Sequence, residues 1–304
     1  MPSTVFVCGA TGTQGGALVN QLLHKGININ AITRDINSTQ AQHLISLGVS
    51  LAEGNFDDEQ SLKKAMVNCT SLFLNLRPDF TKPTGEVDQA RMILSVAKQT
   101  GIKHVIYTSV LGSNNPQKLP HWKPSGLVGM LLLSKQAIEK EVKAAGFEMW
   151  TILRPGNFMS NFLNPLVRMY QGLVETGKFT TAFLPETLIP MIDPNDIGKF
   201  AAAAILEPVR FNHHEIETVS QMMTVDHILK DLSTATGKNF QTVFLSEEEI
   251  ANQLPQNPTL GPQKVMRDMS LLVDMENVRK CGIELGTFAG FLEREKERVD
   301  MTYL

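Results

Sequence analysis

Cysteine is scarce in this 304-residue chain: Cys8, Cys69 and Cys281 lie far apart, without a CxxC pair or any metal-ligand spacing. Three scattered thiols build no disulfide framework and point to no metal site; they read as buried or incidental thiols in a reducing compartment. An excess of one charge is missing too. Lysine plus arginine number 28 and aspartate plus glutamate 31, a formal net charge of −3. No long basic run accompanies that balance, which argues against capture of nucleic acid or of an anionic membrane. The apolar stretch 126–133 is too short to span a bilayer and runs into Lys135. Residues 1–7 have neither the charged start nor the apolar length of a signal peptide, so a cytoplasmic location is expected. No internal repeat, low-complexity tract or Pro/Gly/Ser linker divides the chain. Core-forming residues are plentiful: 42% hydrophobic against 19% charged, enough for one large domain or a domain with a smaller lobe.

The first half alternates short β-rich runs with helical patterns. Strands are expected at residues 4–8, 29–33, 49–53, 72–76, 103–109 and 148–154. Between them lie helices near 15–25, 38–48, 59–67, 86–100 and 129–145, several stopped by Gly26, Gly48, Gly101 and Gly146. Ser38 supplies an N-cap. Strand and helix in strict alternation predict a parallel sheet covered on both faces, with right-handed crossovers. The pattern loosens after Arg154, where 156–190 mixes apolar and aromatic residues with Pro165, Pro185 and Pro190. A turn and helix follow at 193–206, then further helices, one opened by the capping box Ser246/Glu249. A proline-rich loop is expected at 254–262 and a polar-faced amphipathic helix at 287–298. The domain reading is a parallel-sheet domain at 1–155 and a mainly separate lobe at 156–304, with 189–220 returning to the main sheet.

The strand ending at Cys8 runs straight into Gly9-Ala10-Thr11-Gly12-Thr13-Gln14-Gly15. Glycines at the first, fourth and seventh positions permit a sharp turn and close approach to a pyrophosphate, and the next helix would aim its free N–H groups at the anion. Its place after a first strand and before an amphipathic helix makes this a dinucleotide-binding turn. The second strand indicates which dinucleotide. Where NAD-binding units place an acid, this chain has Thr33, followed by Arg34 and Asp35. A guanidinium there suits a 2′-phosphate, with Ser38 and Thr39 as extra donors, so NADP(H) is favoured over NAD(H). Asp35 either reaches a ribose hydroxyl or pairs with Arg34.

Taken together, Gly9 to Gly15, Thr33-Arg34-Asp35, Glu53-Gly54-Asn55-Phe56-Asp57 with Ser61-Leu62, His104 to Ser109, Trp150 to Met159 and Asp193 to Gly198 resemble the NmrA-like family of atypical short-chain dehydrogenases/reductases. The resemblance runs from Thr4 to about Phe291 and implies a Rossmann-type doubly wound sheet with a smaller C-terminal α+β substrate lobe. It also implies roles. Gly9, Thr11, Gly12, Thr13, Gln14 and Gly15 would cradle the pyrophosphate. Asn55 and Phe56 would lie beside the adenine. Asn75, Leu76 and Arg77 would pass the cofactor ribose and phosphates. Thr108 and Ser109 would meet the nicotinamide ribose, and Pro155, Asn157 and Phe158 the nicotinamide ring. The asparagines also fit ordinary turns and the phenylalanines ordinary packing.

Short-chain dehydrogenases typically place a tyrosine acid four residues before a lysine, on one helix face. Here Lys135 occupies the lysine position, but the tyrosine position is Leu131, which donates no proton. Lys135 is the candidate catalytic residue, holding the nicotinamide ribose; the bland alternative is an i, i+4 surface ion pair with Glu139. His121, Ser109 and Tyr170 are conceivable substitute acids. Without a dedicated acid, the surviving chemistry is hydride delivery to an acceptor that is already electrophilic: a quinone, activated alkene, imine or cationic dye. Trp122, Phe158, Met159, Phe162, Leu163, Leu166 and Met169 would line an apolar pocket for it. Two readings stay open. One is an NADP(H)-dependent reductase of a small apolar substrate, acting as monomer or homodimer. The other is a non-catalytic NADP(H) sensor that signals through a protein partner, with nuclear access.

Overall fold

The computed structural model describes residues 3–79, 81–82 and 84–304. In chain order the first part runs β1 (Thr4–Val7), α1 (Thr13–Leu23), β2 (Asn28–Thr33), α2 (Thr39–Ser46), β3 (Ser50–Glu53), α3 (Glu59–Ala65), β4 (Ser71–Leu74), α4 (Gly85–Gln99), β5 (His104–Thr108), α5 (Leu127–Ala144) and β6 (Met149–Pro155). Then come β7 (Asn157–Phe158), α6 (Leu173–Thr176), β8 (Lys178–Thr181), β9 (Ile189–Ile192), α7 (Pro194–Leu206), α8 (Pro208–Phe211), β10 (His214–Thr218), β11 (Gln221–Met223), α9 (Val225–Thr236) and β12 (Gln241–Phe244). The chain ends in α10 (Glu247–Gln253), α11 (Leu260–Met266), α12 (Met275–Lys280), α13 (Phe288–Arg294) and α14 (Lys296–Tyr303). Two compact units result. The first comprises the chain up to Asn114 with Met130–Arg154 and Pro194–Thr218; the second comprises Asn115–Gly129, Pro155–Asp193 and Val219–Leu304.

The first unit is built on a seven-stranded sheet in the order β10-β6-β5-β4-β1-β2-β3. Strands β1 to β6 pair in parallel, with Val5 opposite both Ile29 and Ser71. This is the doubly wound Rossmann arrangement. The strand order reverses between β1 and β4, so the crevice at their carboxyl ends is where such sheets bind ligands. Side-chain alternation divides the strands between two faces. Phe6, Cys8, Leu72, Leu74, Val105, Tyr107 and Ile152 pack with residues of α3, α4 and α5 in one buried cluster. On the other face α1 packs on α7 so closely that a Cβ on Gly198 would sit 2.6 Å from the Ala17 carbonyl.

The second unit has two small sheets, β11-β9-β7 and β12-β8. Its core gathers Met159, Phe162, Leu163, Tyr170, Phe179, Phe288 and Phe291, with Phe162 stacked on Tyr170 at 4.5 Å. The Arg294 guanidinium grips both Asp193 oxygens, at 2.9 and 2.8 Å. Two expectations are corrected here. The tail is two helices, α13 and α14, because Glu295 leaves helical geometry (φ −94°, ψ 24°); it is amphipathic as expected, with Phe288, Phe291, Leu292, Val299 and Tyr303 on the buried side and charged residues such as Glu293, Arg294 and Glu297 exposed. The supposed loop at 254–262 contains the start of α11; Pro262 is tolerated in its first turn, where N–H groups have no intrahelical partner. Within the described residues, no helix is long and apolar enough to cross a membrane.

Candidate functional site

The glycine turn follows β1 as the sequence requires. Gly9 takes φ +67°, a conformation that only glycine adopts readily, and Gly12 N–H closes the turn on Gly9 O at 2.9 Å. A Cβ on Gly15 would lie 2.2 Å from Gly9 O, so that position is sterically closed to any other residue. Gly12 is the N-cap of α1, and no side chain caps the helix. The first-turn N–H groups, including those of Thr13 and Gln14, are therefore left for an anion.

Gln14, on α1, joins two strand ends. Its Nε2 donates to Asn75 Oδ1 (3.2 Å), just beyond β4, while its Oε1 accepts from Thr108 Oγ1 (2.5 Å), the last residue of β5. Gly9, Gln14, Asn75 and Thr108 are thus brought together at the crevice. Cys8 lies beneath, its thiol pushed up to about 12 by burial and partly offset by the Asn75 backbone.

Around this crevice stand two exposed cations, Arg34 after β2 and Arg77 after β4, neither with an ion-pair partner among the described residues. Arg34 does not pair with Asp35: the Asp35 carboxylate accepts from Asn37 N–H at 2.9 Å. Ser38 is occupied as well, accepting from Ala41 N–H as the α2 cap and donating to Asp35 O. Asn55 forms a turn, its Oδ1 accepting from Asp57 N–H (2.6 Å), and Phe56 packs against the α3–α5 core cluster.

Lys135 is buried, at 5% exposure, and is not a surface partner of Glu139. Its Nζ donates to Leu76 O (3.0 Å) and stands 2.5 Å from Glu86 Oε1. Glu139 instead receives Arg154 in bidentate fashion, Nε at 2.9 Å and Nη2 at 2.7 Å, together with the hydroxyls of Ser109 and Ser113, each at 2.6 Å. Glu215 and Glu217 complete the shell around Arg154. Burial opposes the charge on Arg154, but Glu139 and Glu215 outweigh it and hold the guanidinium pKa above its ordinary value. Ser109 is therefore tied into a buried ion network. Sequence reasoning did not find Glu86, Glu139 or Arg154 as a group, because their partners lie on different elements; the local signal was a charge within the otherwise uncharged strand β6 and within helices α4 and α5.

In the second unit, Asn157 and Phe158 form β7, opposite Met191 and Ile192 of β9, and Pro155 just before them is buried. Asn157 Oδ1 accepts from Asn161 (3.1 Å), and its Nδ2 reaches the Tyr170 hydroxyl at 3.5 Å. Burial raises the Tyr170 phenol to about 12, so it is neutral. His121 is exposed. Met159, Phe162 and Leu163 belong to the buried core of this unit, whereas Leu166 and Met169 are exposed at 44% and 40%.

A family model described as NmrA-like matches residues 1–284. The NmrA-like family domain-containing oxidoreductase lnaB of Aspergillus flavus is 26% identical over 259 residues, 79% of this chain and 75% of its own. Among solved structures, the triphenylmethane reductase of Citrobacter sp., complexed with NADP(H), matches with a TM-score of 0.75 at 22% identity, over 96% of this chain and 99% of the other. NmrA, a negative transcriptional regulator, matches with a TM-score of 0.77 at 18% identity, over 100% and 97%. At these identities both structures share the fold with this chain.

Proposed function

The chain belongs to the NmrA-like family, and from that premise we propose that it is an NADP(H)-dependent oxidoreductase acting on a small, flat, apolar electrophile. The observation that carries the cofactor is the uncapped N-terminus of α1 behind a glycine wall, with Arg34 and Arg77 in the loops after the neighbouring strands β2 and β4 and without counter-ions among the described residues. Pyrophosphate fits the first-turn N–H groups, and a 2′-phosphate fits Arg34. When bound, NADPH supplies hydride.

Lys135 holds the nicotinamide ribose in this reading, and Thr108 and Asn75 orient it. The phenol that would protonate a carbonyl oxygen has no equivalent on α5, because Leu131 stands one turn before Lys135. Acceptors are accordingly those whose reduction gives a stabilised anion or a neutral product: quinones, enones, imines and cationic dyes. The relative's name, oxidoreductase, supports the class.

The same Leu131 favours a second reading, a dinucleotide sensor that binds NADP(H) without turnover. Steady-state NADPH oxidation against a panel of quinones, enones, imines and triarylmethane dyes separates the two. Turnover with these acceptors and none with simple ketones is expected. Tight NADPH binding with no turnover on any acceptor would replace the reductase by the sensor.

A further inference from the structure

Glu86 enters none of the roles assigned above. It sits in the first turn of α4 and is 2% exposed. Its Oε2 accepts from Ser134 Oγ at 2.8 Å. Its Oε1 lies 2.5 Å from Lys135 Nζ, a buried ion pair, and has no further hydrogen-bond partner among the described residues. An ammonium has three N–H donors, and the one hydrogen bond Lys135 makes is to Leu76 O. With Leu76 O and Glu86 Oε1 on two sides of the nitrogen, the described residues leave donor capacity over, while the counter-charge is already in place.

The other groups facing this ammonium cannot replace that counter-charge. The Tyr107 ring lies 5.9 Å away, and burial, reinforced by Glu86 and Glu139, raises its phenol well above the usual value, so it is uncharged. Glu139, one turn along α5, is engaged by Arg154. A buried ammonium without a paired carboxylate is strongly disfavoured. Among the described residues Glu86 meets that need, and the ammonium it holds donates to the carbonyl of Leu76, in the loop that carries Asn75 and Arg77.

We propose that Glu86 is the positioning residue for Lys135: its buried carboxylate pins the ammonium between α4, α5 and the Leu76 carbonyl, with N–H donors left over for the cofactor ribose. This rests on the reading that Lys135 holds that ribose. Glu86 acts only through Lys135, so its removal disturbs the presentation of the nicotinamide more than the anchoring of the phosphates.

The test compares the unmodified protein, Glu86→Gln, Glu86→Asp, Lys135→Met and the double variant Glu86→Gln/Lys135→Met. Each is followed by NADPH oxidation with a quinone, by the fluorescence of bound NADPH, and by urea unfolding to show that it is folded. Glu86→Gln is expected to lower kcat about tenfold while KM for NADPH changes by less than about threefold. Glu86→Asp should recover part of that loss. In the Lys135→Met background the Glu86→Gln change should add nothing to the kinetics, the mark of two residues acting as one unit. The fluorescence of bound NADPH should show the same non-additivity, and it reads out without turnover. If Lys135→Met slows turnover or alters the emission but Glu86→Gln does neither, the proposal is overturned while the lysine reading stands. Equal effects of Glu86→Gln in both backgrounds overturn it as well. A Lys135→Met variant silent in kinetics and emission removes the lysine reading, and this proposal with it.

Discussion

At Arg34 the local chemistry is unusually simple. The side chain follows the last residue of β2, is exposed, and has no carboxylate partner among the described residues. Its neighbours are turned elsewhere: Thr33 Oγ1 and Ser38 Oγ both donate to Asp35 O. A 2′-phosphate placed there gains a charge-assisted contact of about 1.5–3 kcal/mol, equivalent to roughly tenfold or more in affinity. NADPH is therefore expected to bind at least tenfold tighter than NADH, and Arg34→Ala to remove most of that difference while leaving NADH affinity as it was. Because Arg34 supports nothing else, the variant should unfold within about 0.5 kcal/mol of the parent. Calorimetric titration of both dinucleotides into both proteins decides it. Equal affinities in the unmodified chain would leave Arg34 without a phosphate to bind. The contrast with Lys135 shows what a sequence discloses at this scale. The glycine turn and the exposed Arg34 are legible because their conformation and placement depend on residues adjacent in the chain. The partner of Lys135 is not, since it comes from another helix, and the local candidate Glu139 turns out to serve Arg154.

Between elements of the first unit, Arg154 ties α5, β6 and β10 together. Its side chain is 1% exposed and faces Glu139, Glu215 and Glu217, with Lys143 adding a second cation at 2.6 Å from Glu215. Removing the guanidinium strands a buried carboxylate at Glu139, a loss of about 3–5 kcal/mol for breaking such a pair. Arg154→Met should thus be far less stable in urea than the parent, despite the apolar replacement. The pH dependence has a definite sign. Partial burial disfavours the Glu215 carboxylate, but Lys143 and Arg154 more than compensate and hold its pKa below the ordinary value. A carboxylate so depressed binds fewer protons folded than unfolded. Its stabilisation is present at neutral pH and is lost as pH falls through the ordinary carboxylate range towards the depressed value. Glu215→Gln should flatten the decline in stability over that window; an unchanged slope would mean the pairing contributes nothing in solution. None of this was visible in periodicity, which located α5 and β6 to within two residues but says nothing of what crosses between them. In the tail the amphipathic pattern was readable, with Phe288, Phe291 and Val299 in the core, but the break at Glu295 that divides it into two helices was not.

Across the whole chain, the parallel sheet was readable because each βα unit repeats one rule, whereas the second unit was not. Its strands are two to four residues long and pair across large sequence separations, so β7, β8, β11 and β12 leave almost no alternating pattern. This difference frames the last prediction. A ligand that binds only the folded state stabilises it by RT ln(1 + [L]/Kd), about 2.7 kcal/mol at a hundredfold excess over Kd. That energy slows exchange only at amides whose opening breaks the site, and amides in frayed or remote segments open as before. With NADPH at such a concentration, exchange should slow by up to about a hundredfold in residues 9–16, 33–35, 75–77 and 108–109. At an equal concentration NADH, lacking the 2′-phosphate, should protect the same segments less, with the largest shortfall at 33–35, where Arg34 lies. Amide exchange followed by mass spectrometry resolves peptides of this size. Protection confined to other segments would move the dinucleotide away from the switch point between β1 and β4. Equal protection by NADH at 33–35 would leave the site where it is and remove Arg34 as the reader of the 2′-phosphate.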